Sequence, residues 1–226
     1  MSKYKPSDFE KKEIEILDSI STLKMHGVKL NIPKEMELRI KHTTLFDGFD
    51  GLFKKLIKDA KTYFEYGCGK STEYVFKYTK AKIYSVDTSK SWVDKVSLLD
   101  LSKNDRLNIE WIDVGELGDW GTPISFEKRI NFRNYAECLF KNNVKPDLIL
   151  IDGRFRILCF LISVKFSPLG TKILFDDYMN RKLYQVVEEI SKPIDHCGRQ
   201  ALFQVDQKSK NAVTEDFLNS FQNVIL

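Results

Sequence analysis

The feature that most constrains the fold is an alternation, from Lys61 onward, of short apolar segments with amphipathic ones. The apolar segments have the length of strands and the intervening ones have helical periodicity. Five strands are predicted at residues 62–66, 82–86, 107–112, 147–151 and 171–175, and an edge strand at 200–205. Alternation of this kind implies right-handed crossovers and a parallel sheet covered on both faces. We therefore expect an α/β fold with a mostly parallel, doubly wound sheet.

Helices are predicted between these strands and on either side of the sheet. They span residues 71–79, 91–101, 126–142, 156–166, 181–190 and 215–224. Residues 7–60 also carry apolar side chains at helical spacing and contain no strand pattern. The chain is therefore divided into an N-terminal helical extension, residues 1–60, and an α/β domain, residues 61–226.

Length and charge narrow the class of protein. The 226 residues suffice for a sizeable core, and a net charge of +4 with both signs interspersed is typical of a solvated surface, not of a nucleic-acid interface. No apolar run approaches the roughly 20 residues that span a bilayer. The four cysteines form no C-x-x-C pair, which favours free thiols. We expect a cytoplasmic protein without a membrane span or nucleic-acid partner, and leave a homo-oligomer open.

Residues 64–74 read FEYGCGKSTEY and contain a glycine loop. GKST is also the end of a phosphate-binding loop, but the first glycine of that loop would fall at Phe64. The dinucleotide pattern G-x-G-x-x-G fails as well, because its third glycine would be Thr72. What remains is a strand, the carboxylate of Glu65, two glycines and a helix. A carboxylate at this place suits a cationic ligand group and would repel a triphosphate.

The ends of the second and third strands carry further acidic residues. Ligands of open α/β sheets bind outside the carboxyl ends of the strands. Asp87 ends the second strand, and a carboxylate can accept two hydrogen bonds from a vicinal diol. The alternative for Asp87 is a helix N-cap near Ser91. After the third strand, Ile112 and Asp113 lead into the loop VGELGDWGTP, which is either a lid or a rigid turn that packs Trp120.

Three carboxylates follow the fourth and fifth strands. Asp152 comes after the fourth strand, and Asp176 and Asp177 come after the fifth. These strand ends should be neighbours, so the acids should converge. Hard oxygen ligands suit Mg²⁺, whereas Arg154 and Arg156 offer a salt-bridge network that needs no metal. The sequence leaves both alternatives open.

The glycine segment E-x-G-x-G resembles motif I of the class I S-adenosylmethionine-dependent methyltransferases. The resemblance implies a Rossmann-like fold and S-adenosylmethionine as the cofactor. In that family the glycines approach the methionine and ribose portions, the first acid helps to hold the amino end, an acid after the second strand binds the ribose, and residues after the third strand meet the adenine. The cofactor-binding residues implied here are Glu65, Gly67, Gly69, Ser71, Asp87, Ile112 and Asp113.

The acidic strand ends resemble those of the metal-dependent O-methyltransferases, although no asparagine follows Asp176. This implies catalytic roles for Asp152 and Asp177, and a Mg²⁺ site formed by Asp152, Asp176 and Asp177. The segments EYGCGKST, SVDTSKSW, DVGELGDWGTP, LILIDGRFR and LFDDYMNRKLYQVVE together look like a bacterial group of methyltransferase-like proteins, which we associate with surface-polysaccharide genes. The expected reaction is O-methylation of a small molecule or sugar. Arg154, Arg156 and Arg181 suggest an anionic acceptor.

Lys70 departs from the small residue usual in motif I. Its side chain either crowds the cofactor or points to solvent. If it crowds the cofactor, the chain is a non-catalytic methyltransferase-like binding module. A nucleotide-triphosphate-binding protein that uses GKST is the second alternative. His196 is too weakly placed to be named as a general base, and Trp92 is expected in the core.

Overall fold

The computed structural model describes residues 50–100 and 105–225 without a break, together with residues 16, 20, 23, 29–35 and 44–46. Within these residues, seven strands form one sheet: β1 Thr62–Tyr66, β2 Lys82–Asp87, β3 Leu107–Trp111, β4 Leu148–Ile151, β5 Lys172–Phe175, β6 Asp195–Cys197 and β7 Gln200–Gln204. Across the sheet they lie in the order β3-β2-β1-β4-β5-β7-β6. The first five pair in parallel, and β7 and β6 are antiparallel. The predicted α/β sheet is confirmed.

Helices cover both faces of this sheet. They are α1 Gly51–Ile57, α2 Lys70–Tyr78, α3 Lys90–Ser97, α4 Ile130–Glu137, α5 Arg156–Phe166, α6 Gln207–Ala212 and α7 Glu215–Phe221. α5 begins and ends where the sequence predicted, and it is buried without interruption from Arg156 to Val164. A helix that is apolar all round must lie inside the molecule. It packs against the same face of the sheet as α4.

The first strand shows how the two faces form. Phe64 and Tyr66 point into one core, with α4 and α5, while Tyr63 points into the other. The second core is closed by α1, whose Leu52, Phe53 and Ile57 are buried there. α1 therefore packs directly on the sheet. Most of the helical pattern in residues 7–49 lies outside the described residues, and the domain boundary at residue 60 stays a prediction.

The antiparallel end of the sheet differs from the prediction. β7 was expected at the edge, but it lies between β5 and β6, and β6 is the edge strand. β6 has three residues, Asp195–Cys197, of which two are exposed. So short and polar a segment carries no alternating pattern, which is why the sequence did not reveal it.

Two further expectations were wrong. Residues 181–190 were predicted as an α-helix, but Lys182–Glu189 forms a 3₁₀-helix. Its buried Tyr184 and Val187 lie three residues apart, which matches the three residues per turn of that helix. Trp92 was expected in the core but is 44% exposed. The buried side of α3 is formed by Val93 and Val96, and the Lys95 ammonium lies 4.5 Å from the centre of the indole.

A search of the described residues for a helix long and apolar enough to cross a bilayer finds none.

Candidate functional site

The turns after β1 and β4 pack backbone against backbone. Gly67 has a φ of +92°, and a Cβ there would lie 2.7 Å from the Cα of Gly153. A Cβ on Gly153 would lie 2.1 Å from the hydroxyl of Tyr135. The amide of Gly67 also donates to the carbonyl of Val86 at 2.8 Å, which ties the turn to β2. Gly67 is therefore required by the geometry of the turn itself, independently of any ligand.

The surroundings of Gly69 are open, whereas those of Gly67 are crowded. A Cβ at Gly69 would meet no atom within 4 Å, so open space lies in front of this glycine. The next residue, Lys70, is the first of α2, and its side chain is exposed. Lys70 is thus solvent-exposed, which agrees with the second of its two predicted orientations, and its effect on cofactor binding stays a prediction. The space that a side chain would fill at Gly69 is the kind of cradle in which a ligand can approach the backbone.

Glu65 lies beneath this loop and is fully buried. Its carboxylate accepts hydrogen bonds from the hydroxyls of Ser71 and Thr72, from Tyr63 at 2.9 Å and from Ser85 at 3.3 Å. The first two donors belong to the first turn of α2. Through these two hydrogen bonds, Glu65 holds the first turn of α2 in place, and Ser71 contributes one of them. Direct contacts of Glu65 and Ser71 with a cofactor stay predictions.

The burial of Glu65 makes the stability of the chain depend on pH. Desolvation raises the pKa of this carboxyl from 4.5 to about 7, against the lowering effect of the four hydroxyl donors. Since the pKa is higher in the folded than in the unfolded chain, the folded chain binds an extra proton between these two values. The contribution of Glu65 to stability is thus fully present below pH 4.5 and is lost as the pH rises through 7, by about 3 kcal/mol.

Urea unfolding from pH 5 to pH 8 measures this loss. We expect Glu65→Gln, which stays neutral, to lose the decline over this range that the unmodified chain shows. Glu73→Gln changes a carboxylate on the solvent side of the same helix, where it pairs with Lys77, and should follow the unmodified chain. Parallel profiles for Glu65→Gln and the unmodified chain would contradict the assignment.

Asp87 ties the end of β2 to the glycine loop. Its two carboxylate oxygens accept from the amides of Cys68 at 2.9 Å and Ser89 at 2.7 Å. The N-cap of α3 is Ser89, so the capping alternative for Asp87 was wrong. Burial raises the pKa of Asp87, and the two amide donors act against that rise. A carboxylate has about four acceptor positions, so this one retains capacity for the hydroxyls of a ligand.

Asp113 follows β3 and closes the base of the loop after it. Its carboxylate pairs with Lys128 and accepts from the amide of Gly115 at 3.0 Å, and its carbonyl accepts from the Asn131 side chain at 2.7 Å. The Lys128 hydrogen bond is the main reason that the pKa of Asp113 is lowered. Ile112 is partly buried in the core beside it. Adenine contacts of Ile112 and Asp113 stay predictions.

Residues 115–123, which we call the strap, run between the ends of the two strands that flank β1. The hydroxyl of Thr88, just after β2, donates to the carbonyl of Gly121 at 2.9 Å. The guanidinium of Arg154, just after β4, donates to the hydroxyl of Thr122 at 3.0 Å. Because β2 and β4 lie on either side of β1, both anchors flank the glycine loop.

The strap is a hydrogen-bonded turn with an exposed indole at its tip. Gly118 donates its amide to the carbonyl of Thr122 at 2.8 Å, and Leu117 forms a bridge with Pro123. Trp120 is 91% exposed and has a φ of +59°. The predicted turn is therefore present, but the indole of Trp120 is exposed and is not packed against the protein.

The three acids after β4 and β5 converge as predicted. One oxygen from each of Asp152, Asp176 and Asp177 lies within 4.8 Å of the others. β4 and β5 are parallel neighbours, so their ends meet at the same edge of the sheet. Burial raises the pKa of Asp152 well above its usual value, Arg156 acts against this, and Asp176 adds to it.

Arginines surround this acid cluster. Arg156 lies 3.0 Å from Asp152 and 3.2 Å from Asp177, and it also donates to three backbone carbonyls. Arg199 holds Asp176 through two nitrogens at 2.7 and 3.1 Å. Arg181 lies 3.6 Å from Asp177. Three guanidinium groups therefore balance three carboxylates.

The donor set does not fit Mg²⁺. At least five of the six carboxylate oxygens lie within 4 Å of a guanidinium nitrogen. A hard cation needs several oxygens directed at one point, and it would have to displace positive charge from this place. The observed geometry is that of a salt-bridge network, which was the second of the two alternatives, and we derive no step through a metal.

Arg154 was predicted to join this network but does not. Burial is the main reason that the pKa of Arg154 is lowered, and the charge of Arg156 adds to it. Sequence reasoning missed Arg199, which reaches the acids from the turn between β6 and β7, and Tyr135, whose hydroxyl accepts from the Arg154 amide at 3.3 Å. No signal in the sequence marks either residue.

Searches of family models and of curated proteins find no match for this chain. Among solved structures, a methyltransferase-like protein from Silicibacter pomeroyi DSS-3 is 26% identical with a TM-score of 0.64, over 87% of this chain and 98% of that one. An O-methyltransferase from Bacillus cereus in complex with S-adenosylhomocysteine is 13% identical, with a TM-score of 0.45, over 89% of this chain and 92% of that one. This chain therefore has the Rossmann-like fold of the methyltransferases.

Proposed function

We propose that the chain is an S-adenosylmethionine-dependent methyltransferase that methylates an oxygen of a small molecule or sugar. The observation that carries the proposal is the open space at Gly69, bordered by the start of α2 and by Asp87 with unused acceptor capacity. A ligand with a hydroxylated ring fits such a place. The structural likeness to the methyltransferase-like protein from S. pomeroyi supports the methyltransferase part of this proposal.

The residues that would hold the cofactor are Gly67, Gly69, Ser71, Asp87, Ile112 and Asp113, with Glu65 beneath them. The bound cofactor supplies a methyl group on a sulfonium, which an acceptor oxygen can displace in line. Asp87 would accept the ribose hydroxyls with the lone pairs that its two amide bonds leave free. The side chain of Lys70 is exposed, which supports a clear cradle and argues against the non-catalytic module.

Two carboxylates were predicted to be catalytic, and they differ in their surroundings. Both oxygens of Asp177 face guanidinium groups, so Asp177 positions Arg156 and Arg199. Asp152 is paired with Arg156, and burial raises its pKa. A carboxyl of raised pKa is the better proton acceptor, and we assign to Asp152 the proton of the acceptor hydroxyl. Proximity and alignment supply most of the remaining rate.

Three further parts of the sequence prediction also remain proposals. They are the cytoplasmic location, the sugar of a surface polysaccharide as the acceptor, and a homo-oligomer. The competing reading as a nucleotide-triphosphate-binding protein requires a glycine where β1 has Phe64, which is fully buried in the core.

Thermal unfolding with ligands tests the proposal. We expect S-adenosylhomocysteine at 100 times its dissociation constant to stabilise the chain by roughly 2.7 kcal/mol, which is roughly 5–10 °C in Tm for a chain of this size. Mg²⁺ should add nothing to this shift, because the acids are already paired with arginines. A shift with Mg-ATP and none with S-adenosylhomocysteine would refute the proposed function.

A further inference from the structure

Arg154 is a partly buried cation with no carboxylate within salt-bridge distance among the residues that the structure describes. Its guanidinium donates to the neutral hydroxyl of Thr122 at 3.0 Å. The other arginines around the acid cluster, namely Arg156, Arg181 and Arg199, each lie within 4 Å of an aspartate. Since a partly desolvated charge without a counter-ion is costly, the position of Arg154 calls for an anion from outside the chain.

None of the described residues around Arg154 supplies that anion. Arg156 and Arg181 are close enough to act on Arg154 as like charges, and burial opposes its charge as well. Asp87 interacts with Arg154 only from beyond salt-bridge distance, and its oxygens are engaged by two backbone amides. An open cavity of about 280 Å³ is lined by residues 181–184 and so includes Arg181, one of these two like charges.

An exposed indole lies two residues from the contact of Arg154. Trp120 precedes Gly121 and Thr122 in the strap, and both of those residues are anchored to the sheet. Its φ of +59° is unusual for a bulky residue, and its side chain is 91% exposed. Tryptophan commonly buries most of its ring, and backbone strain tends to gather at ligand-binding places. The strap therefore presents a flat apolar face two residues along the chain from the hydroxyl that Arg154 contacts.

We propose that the methyl acceptor is a ring-bearing anion, whose carboxylate or phosphate group pairs with Arg154 while its ring lies against the indole of Trp120. This inference rests on the proposed function for the identity of the acceptor site. It also narrows the sequence prediction of an anionic acceptor, because Arg156 is occupied by the carboxylates and Arg154 is not.

Calorimetric titrations of the full chain saturated with S-adenosylhomocysteine test the proposal. The probes are methyl β-D-glucuronide, glucose 1-phosphate and 3,4-dihydroxybenzoate, which place a carboxylate or a phosphate on a sugar or an aromatic ring. Methyl β-D-glucoside is the neutral control. We expect at least one anion to bind and the glucoside not to bind. The probes that bind will distinguish carboxylate from phosphate and sugar from aromatic ring.

Variants assign the binding to the two residues. Arg154→Gln should weaken binding of the anion about tenfold or more, as is typical for the loss of a charged hydrogen bond. Arg154→Lys should recover part of this affinity. Trp120→Ala should weaken binding of the anion about tenfold. Arg129→Gln removes an exposed arginine elsewhere in the chain and should change nothing. All four variants should bind S-adenosylhomocysteine as the unmodified chain does.

Three results would overturn the proposal: no anion binds, Arg154→Gln binds the anion unchanged, or Arg154→Gln loses S-adenosylhomocysteine instead. The third result would assign Arg154 to the carboxylate of the cofactor. Failure of the unmodified chain to bind S-adenosylhomocysteine is a separate outcome that refutes the proposed function. Anion titrations in the absence of S-adenosylhomocysteine would then still decide whether Arg154 and Trp120 form an anion site.

Discussion

Replacing Gly67 by alanine is expected to destabilise the chain by roughly 4 kcal/mol, the largest effect of any small substitution in the glycine loop. A side chain at φ +92° costs about 1–3 kcal/mol in backbone strain. Its Cβ would also lie 2.7 Å from the backbone of Gly153, which must move at a further cost of about 1–3 kcal/mol. Urea unfolding at pH 7 measures the sum.

Gly51→Ala is the matched control for this substitution. Gly51 is the first residue of α1, has no atom within 4 Å of the position of a Cβ, and does not have a positive φ. Alanine there should be neutral or slightly stabilising. A loss below about 1 kcal/mol for Gly67→Ala would show that the turns after β1 and β4 do not pack as described.

Replacing Arg156 by methionine is expected to cost about 3–5 kcal/mol at pH 7. The side chain of Arg156 is 4% exposed and contacts both Asp152 and Asp177. Removing one partner of a buried ion pair leaves uncompensated charge inside the protein, which is the reason for a penalty of this size. The loss should shrink at lower pH, because protonation of Asp152, whose pKa burial raises, removes its uncompensated charge.

Arg133→Gln provides the comparison at the surface. Arg133 also contacts two carboxylates, those of Glu137 and Glu215, but its side chain is 30% exposed. Pairs of this kind contribute at most about 1 kcal/mol each. If the two variants lose the same stability, or if Mg²⁺ restores Arg156→Met to full stability, the acid cluster is not the arginine-neutralised network described here.

The parallel part of the sheet could be predicted because each strand is a buried apolar run. β4, with the sequence LILI, is buried at every position and admits one interpretation. The strand ends then place Glu65, Asp87, Asp152 and Asp176 at one edge without further information. β6 escaped prediction because three polar residues at an edge have no pattern of their own.

The partners of these acids could not be predicted, because they depend on contacts between distant segments. Arg199 reaches Asp176 only because an antiparallel hairpin places it opposite β5, and nothing in the sequence around residue 199 shows that placement. Glu65 was correctly placed at a strand end. Its four hydroxyl partners, however, follow from which face of β1 it occupies and from the start of α2.

The most direct test of the account is a calorimetric titration of S-adenosylhomocysteine into the unmodified chain and into Gly69→Ala. Since a Cβ at Gly69 meets no protein atom, the variant should unfold like the unmodified chain. Its Cβ would occupy the open cradle, so we expect its affinity to fall by at least about tenfold. Equal affinity in both chains, or no binding to the unmodified chain, would contradict the assignment of the glycine loop to the methyl donor.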